Sequence, residues 1–183
     1  STGGDFGFLR ARLGIDFDAE ELSCPAPFDY GRQARLYAPR HLPDPRDDRF
    51  FEAAAAEALA LIRLTGGGAL VLSTSNRGMQ ALYERLEGSV PGPIACQGSA
   101  PKQLLLERFV ADPGSTLVAT TSFWQGVDIA GDALRLVVID KLPFASPGDP
   151  IVEARIRRLE DEGKKAFTEY QVPQAALLLK QGF

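Results

Sequence analysis

Three short stretches hold most of the residues able to do chemistry, and each follows an apolar run. Ser73, Thr74, Ser75 and Asn76 are four small hydrogen-bonding residues between the run ALVL and a segment with helical spacing. One of them caps that helix. The remaining hydroxyls, together with the N–H groups of a helix N-terminus, suit a phosphate oxygen, and Arg77 adds positive charge one residue later. Residues 121–131 (TSFWQGVDIAG) contain the only tryptophan, Trp124, with two glycines and a single acid, Asp128. They read either as a packed turn or as a ligand loop. Residues 140–150 (DKLPFASPGDP) form a stiff loop whose prolines and Phe144 offer a stacking surface for a base.

Other features carry less. No G-x-x-x-x-G-K-[ST] occurs, so the chain lacks the lysine-and-amide cradle for a triphosphate and is no self-sufficient P-loop ATPase. Asp140 ends an apolar strand like a magnesium-holding aspartate, but with no phosphate loop it reads as a strand-end turn residue. Gly66, Gly67 and Gly68 precede their strand rather than follow it, which makes them a turn and not a dinucleotide loop. Arg155, Arg157, Arg158, Lys164 and Lys165 interleave with Glu153, Glu160, Asp161 and Glu162, the pattern of a solvated helix with i,i+4 pairs. His41 has no visible partner and receives no role.

The elements that must position these loops alternate. Residues 69–72, 93–97, 116–120 and 134–139 read as strands, two of them continuous apolar runs of the kind found in parallel sheets covered on both faces. Between them, Met79, Leu82, Tyr83 and Leu86 recur at helical spacing before Gly88, and Pro101 opens a helix carrying Leu104, Leu105 and Phe109. Upstream, a helix capped by Asp47 or Asp48 runs to Thr65 with Phe51, Ala55, Leu59 and Ile62 on one face. Residues 1–50 are an irregular lead-in, with a short helix over 5–13 closed by Gly14 and a strand over 33–37. Helices follow over 151–162, 166–170 and from 173 onward. In open α/β sheets ligands bind beyond the carboxyl ends of the strands, and there the three loops gather.

At 183 residues, 45% hydrophobic and 24% charged, the chain suits a single domain with a real core. The formal charge of −4 argues against a surface that is basic throughout and leaves room for a local basic groove. The two cysteines, Cys24 and Cys96, are far apart without CxxC spacing, so neither zinc site nor disulfide scaffold is encoded. No apolar run reaches the ~20 residues of a membrane span and no signal segment opens the chain; the expectation is a cytoplasmic protein without a membrane partner. The ends, Ser1 and Phe183, read as cuts in a longer polypeptide.

Together the loops resemble superfamily 2 helicases of the DinG/XPD type, nearest the bacterial DinG/YoaA-like branch. Residues 67–75 (GGALVLSTS) look like motif IV, 121–131 like motif V, and 180–183 (KQGF) like the opening of motif VI, while 140–150 is similar to the bacterial branch. The resemblance implies a three-layer RecA-like α/β domain with a mainly parallel central sheet flanked by helices. It implies the second motor half of an ATP-dependent helicase moving 5′ to 3′ on single-stranded DNA, of a kind associated with DNA repair. ATP would bind in a cleft shared with the first motor domain of the same polypeptide.

On that resemblance Gly126, Asp128 and Gln181 face the nucleotide, and Thr74, Ser75 and Arg77, with Thr121 and Ser122, contact DNA phosphates. ATP and Mg2+ belong to the full-length enzyme, any iron–sulfur cluster to the first half, and no cofactor or metal is expected on this chain. Two departures stand out. Gln125 replaces a glutamate common in relatives, and the motif VI arginines that follow Q-x-x-G are not among these residues. The chain alone is therefore expected to lack ATPase and unwinding activity. The competing expectation is a non-enzymatic flavodoxin-like module that binds a nucleotide or partner through the Trp124 loop.

Overall fold

The computed structural model describes residues 6–24, 28–124, 127, 129, 131–146 and 148–182. They fall into two compact units, His41–Pro143 and, separately, Ser1–Arg40 with Phe144–Gln181.

The first unit is built on a four-stranded sheet: β1 (Ala69–Ser73), β2 (Ile94–Cys96), β3 (Thr116–Thr120) and β4 (Leu136–Ile139). The order is β2-β3-β1-β4, and every pairing is parallel. Side chains of β1 and β3 are buried at every position, so both faces of the sheet are covered. On one face Val71 and Val118 pack with Ala55 and Ile62 of α3 (Phe50–Thr65) and with Met79, Leu82 and Leu86 of α4 (Asn76–Leu86). Leu70, Leu72, Leu117 and Ala119, of opposite parity, are equally buried. Leu117 shares a small cavity with Leu105 and Phe109 of α5 (Lys102–Ala111). Helix, sheet and helix make the three layers of a RecA-like α/β domain.

The expected elements recur with small shifts at their ends. α3 closes at Gly66 (φ 67°), with Gly66 N–H on Arg63 O and Gly67 N–H on Ile62 O, the bond pair of a Schellman turn. Gly67 and Gly68 keep positive φ, so the triple glycine is a turn as expected. At the start of α3 the expected cap is absent: neither Asp47 nor Asp48 is the N-cap, which is Arg49 without a side-chain cap bond, and the Asp47 carboxylate accepts from Arg49 N–H ahead of the helix instead.

In the second unit α1 (Gly7–Leu13) closes at Gly14 (φ 67°), α2 spans Tyr30–Gln33, and α6 covers Pro150–Asp161. A π-helical turn (Phe167–Gln171) leads into α7 (Val172–Gly182). Asp149 caps α6 by accepting from Ile151 N–H and Val152 N–H at 2.8 and 3.3 Å, with Pro150 in the first turn. The Arg157–Glu153 and Arg158–Glu162 ion pairs lie at i,i+4, so the basic concentration is a solvated helix face. The guanidinium groups of Arg12 and Arg155 both lie over the Tyr170 ring.

A second expectation fails. Residues 34–37 form no strand: the alternation of QARLY reflects no core, since Leu36 is 93% exposed and no neighbouring strand supplies a ladder.

Candidate functional site

Parallel pairing sends every strand of the sheet out at the same edge. The register sets Ser73 beside Thr120 and Leu72 beside Ile139. Three turns therefore leave side by side, after β1, β3 and β4.

At the end of β1 the four small residues divide their work. Ser75 is the N-cap: its backbone is extended (φ −146°, ψ 152°) and its Oγ accepts from Gly78 N–H at 3.0 Å. Ser73 points inward, fully buried, and donates to Asp140 Oδ2 at 2.7 Å. The other carboxylate oxygen, Oδ1, accepts from Thr74 N–H at 3.0 Å. Asp140 is thus more than a turn residue, because both its oxygens hold the neighbouring loop. Its partial burial raises its pKa above the ordinary carboxylate value, and the bonds from Ser73 and Thr74 offset only part of that cost. With these donors taken, the groups facing outward are the exposed side chains of Thr74, Asn76 and Arg77. Arg77 has no ion-pair partner among the described residues.

At the end of β3, Gln97 reaches across from the turn just after β2. Its Oε1 accepts from Thr120 N–H at 2.8 Å and from Thr120 Oγ1 at 3.0 Å, and Thr120 Oγ1 shares a further bond with Ser122 Oγ at 2.7 Å. Thr121 and Ser122 lie in a 3-10 turn, Thr121–Trp124, half-buried and exposed respectively. Phe123 anchors the turn in the core, with the Lys102 ammonium 5.0 Å from its ring centroid. After β4, Lys141 lies over both Phe50 and Phe51 at the start of α3, 5.4 and 5.1 Å from the ring centroids.

The structure therefore brings Thr74, Ser75 and Arg77 together on one turn and sets Thr121 and Ser122 on the adjacent one. Gly126 and Asp128 lie outside the described residues, as does Gln125. Gln181 is a backbone position of α7, in the other unit, and its side chain lies outside the description. Asp140, Gln97 and Gly78 were missed as supports of the edge. Position at a strand end or first helical turn was their one sequence signal. His41, assigned no partner, stands 3.2 Å from Glu57.

Among the described residues no group of three or more His, Cys, Asp or Glu side chains is placed to hold a metal ion. Cys24 is exposed and Cys96 is buried, each in a different unit, and neither belongs to a ligand cluster. No described helix is long and apolar enough to cross a membrane.

An all-parallel sheet layered by helices, with hydroxyl-rich turns leaving its carboxyl edge, is a doubly wound α/β build consistent with a RecA-like domain. Residues 58–183 match the family described as helicase C-terminal domain, and the chain belongs to it, in the DinG-type branch. It is 42% identical over 182 residues to the ATP-dependent DNA helicase YoaA of Escherichia coli (strain K12), covering 100% of this chain. It is 40% identical to the YoaA of Haemophilus influenzae over 99% of the chain. The ATP-dependent helicase DinG of Mycobacterium tuberculosis (strain H37Rv) is 37% identical over 100% of it. The chain spans 28% of the length of each of these relatives. Family membership sets aside the flavodoxin-like module as the frame for this edge.

Proposed function

We propose that this chain is the second motor half of an ATP-dependent helicase moving 5′ to 3′ on single-stranded DNA. In this reading residues 67–75, 121–131 and 180–183 serve as motifs IV, V and the opening of VI. Thr74, Ser75 and Arg77, with Thr121 and Ser122, hold backbone phosphates, a sequence-indifferent grip suited to a motor. Gly126, Asp128 and Gln181 face an ATP cleft shared with the first motor domain of the same polypeptide, which supplies the phosphate loop, the Mg2+ ligands and any iron–sulfur cluster. ATP binding between the two motor domains would close that cleft. The names of the YoaA and DinG relatives support the reading.

The observation that carries it is the β1–α4 turn: a capped helix start whose Thr74 and Arg77 side chains face outward, with no ion pair or hydrogen bond from Arg77 among the described residues. The full-length protein is the object of the test. Anisotropy titrations with single-stranded oligonucleotides across a salt series should show Arg77→Ala weakening all sequences alike and lowering the salt slope by about 1. Overhang duplexes of either polarity then read direction. An unchanged slope, or unwinding from a 3′ overhang only, overturns the corresponding part.

A further inference from the structure

We propose that Asp140 is a positioning residue for DNA-backbone contact, a role that rests on reading residues 74–77 as the phosphate grip. Asp140 lies 67 positions from Ser73, just past the end of the strand β4 that pairs with β1, and its carboxylate spans the last residue of β1 and the first of the β1–α4 turn. Oδ2 takes the Ser73 hydroxyl proton and Oδ1 takes the Thr74 amide. Asp140 N–H in turn donates to Leu72 O at 3.0 Å, so backbone and side chain of one residue tie to three successive residues of the neighbouring chain segment.

Two consequences follow for the turn. Ser73 Oγ, pinned by the carboxylate, lies 3.4 Å from Ser75 N–H, which helps place the cap residue. With its N–H committed inward, Thr74 presents its side chain outward, next to the first turn of α4 and Arg77. A helix start left alone would aim several free N–H groups at any anion. Here Ser75 Oγ takes the Gly78 N–H of α4 and the Asp140 carboxylate takes the Thr74 N–H just before the helix, and the outward hydroxyl and guanidinium flank what remains of that start. Asp140 touches neither DNA nor nucleotide in this arrangement; it acts through Ser73 and Thr74.

The test uses the full-length helicase and reads the single-stranded DNA concentration that half-saturates ATPase stimulation, alongside KM for ATP and kcat at saturating DNA. Asp140→Ala should raise the DNA requirement about tenfold, the scale set by losing bonds to a charged acceptor, while KM for ATP and kcat stay within twofold. Asp140→Asn should restore the DNA requirement, because its amide oxygen still accepts from Thr74 N–H and its NH2 donates to Ser73 Oγ. A uniform fall in all three quantities with Asp140→Ala, or no rescue by asparagine, overturns the proposal. Should Asp140→Ala fail to fold, Ser73→Ala removes one of the two bonds, and an unchanged DNA requirement there is the overturning result. Arg77→Ala separates the two readings: if it weakens DNA binding and Asp140→Ala does not, the phosphate grip stands and the positioning role falls. If neither acts, the grip itself is wrong.

Discussion

Gly78 and Ser73 meet so closely that no side chain fits between them: a Cβ on Gly78 would stand 2.3 Å from Ser73 Oγ and 3.0 Å from the Phe51 ring. Two effects compete on Gly78→Ala. Helix propensity favours alanine by up to about 1 kcal/mol. Overpacking costs about 1–3 kcal/mol, and the easy escape is closed, because swinging Ser73 Oγ aside breaks its bond to Asp140. The expected outcome is a net loss of about 1–2 kcal/mol, read by urea unfolding of the 183-residue chain. A stabilised alanine variant would show that the contact relaxes freely.

The two carboxylates of opposite environment should titrate apart. Asp47 is half-buried at the surface, and the hydrogen bonds from Arg49 hold its carboxyl down to about 2. What stability that pair contributes is present above the unfolded value of 3.8 and is lost as pH falls through about 2. Asp140 behaves inversely. Partial burial raises its pKa above 3.8, so its charged form costs stability at neutral pH and the cost disappears as pH falls below that value. Asp140→Asn, neutral with both bonds kept, should equal or exceed the parent in stability at pH 7. The advantage should vanish near pH 3.8, the unfolded value. Carbon-detected NMR titration of the side-chain carboxyls checks the order, and an Asp140 midpoint below that of Asp47 contradicts it.

Thr116 Oγ1 is buried and has no hydrogen-bond partner among the described residues. Its side chain shares the parity of Val118, on the face packed against α3 and α4. A buried hydroxyl without a partner carries a desolvation cost of about 1–3 kcal/mol that a methyl group does not. Thr116→Val should therefore raise stability by about 1 kcal/mol, seen as a higher urea midpoint at unchanged m. A lower midpoint would mean that an ordered water serves the hydroxyl.

How much of this was legible in the residues depends on range. β1 and β3 were readable because an unbroken apolar run suits a strand covered on both faces, and α4 because Met79, Leu82 and Leu86 repeat at helical spacing. The cap was readable as a property of four residues; only the backbone turn selects Ser75 among them. Residues 33–37 misled because alternation signals a strand only where one face meets a core, and Leu36 meets solvent. Asp140 and Gln97 escaped notice because their partners, Ser73 and Thr120, lie 67 and 23 residues away, brought close by a strand order that composition does not encode.

The opposite edge of the sheet offers a control that separates folding from function. There the Arg135 guanidinium donates to Gly66 O at 3.0 Å and Pro113 O at 2.6 Å, tying two turns together. Beneath it the backbone is packed without room: a Cβ on Gly67 would stand 2.2 Å from Gly114 O, at a φ of 89° that disfavours any side chain. Both features lie at the amino ends of β1 and β3, the length of the sheet away from Thr74 and Arg77. Arg135→Ala should cost about 1–2 kcal/mol, discounted from the usual value for charged donors because the side chain is exposed. Gly67→Ala should cost more, about 3 kcal/mol, since backbone strain adds to a clash with an unyielding carbonyl. In the full-length protein at a temperature where it stays folded, Arg135→Ala should leave the affinity for single-stranded DNA and its salt slope unchanged. The same titration with Arg77→Ala should do the reverse, weakening DNA binding at nearly unchanged stability. If Arg135→Ala weakened DNA binding as much as Arg77→Ala, the two edges would not be independent, and the grip could not be assigned to the carboxyl edge alone.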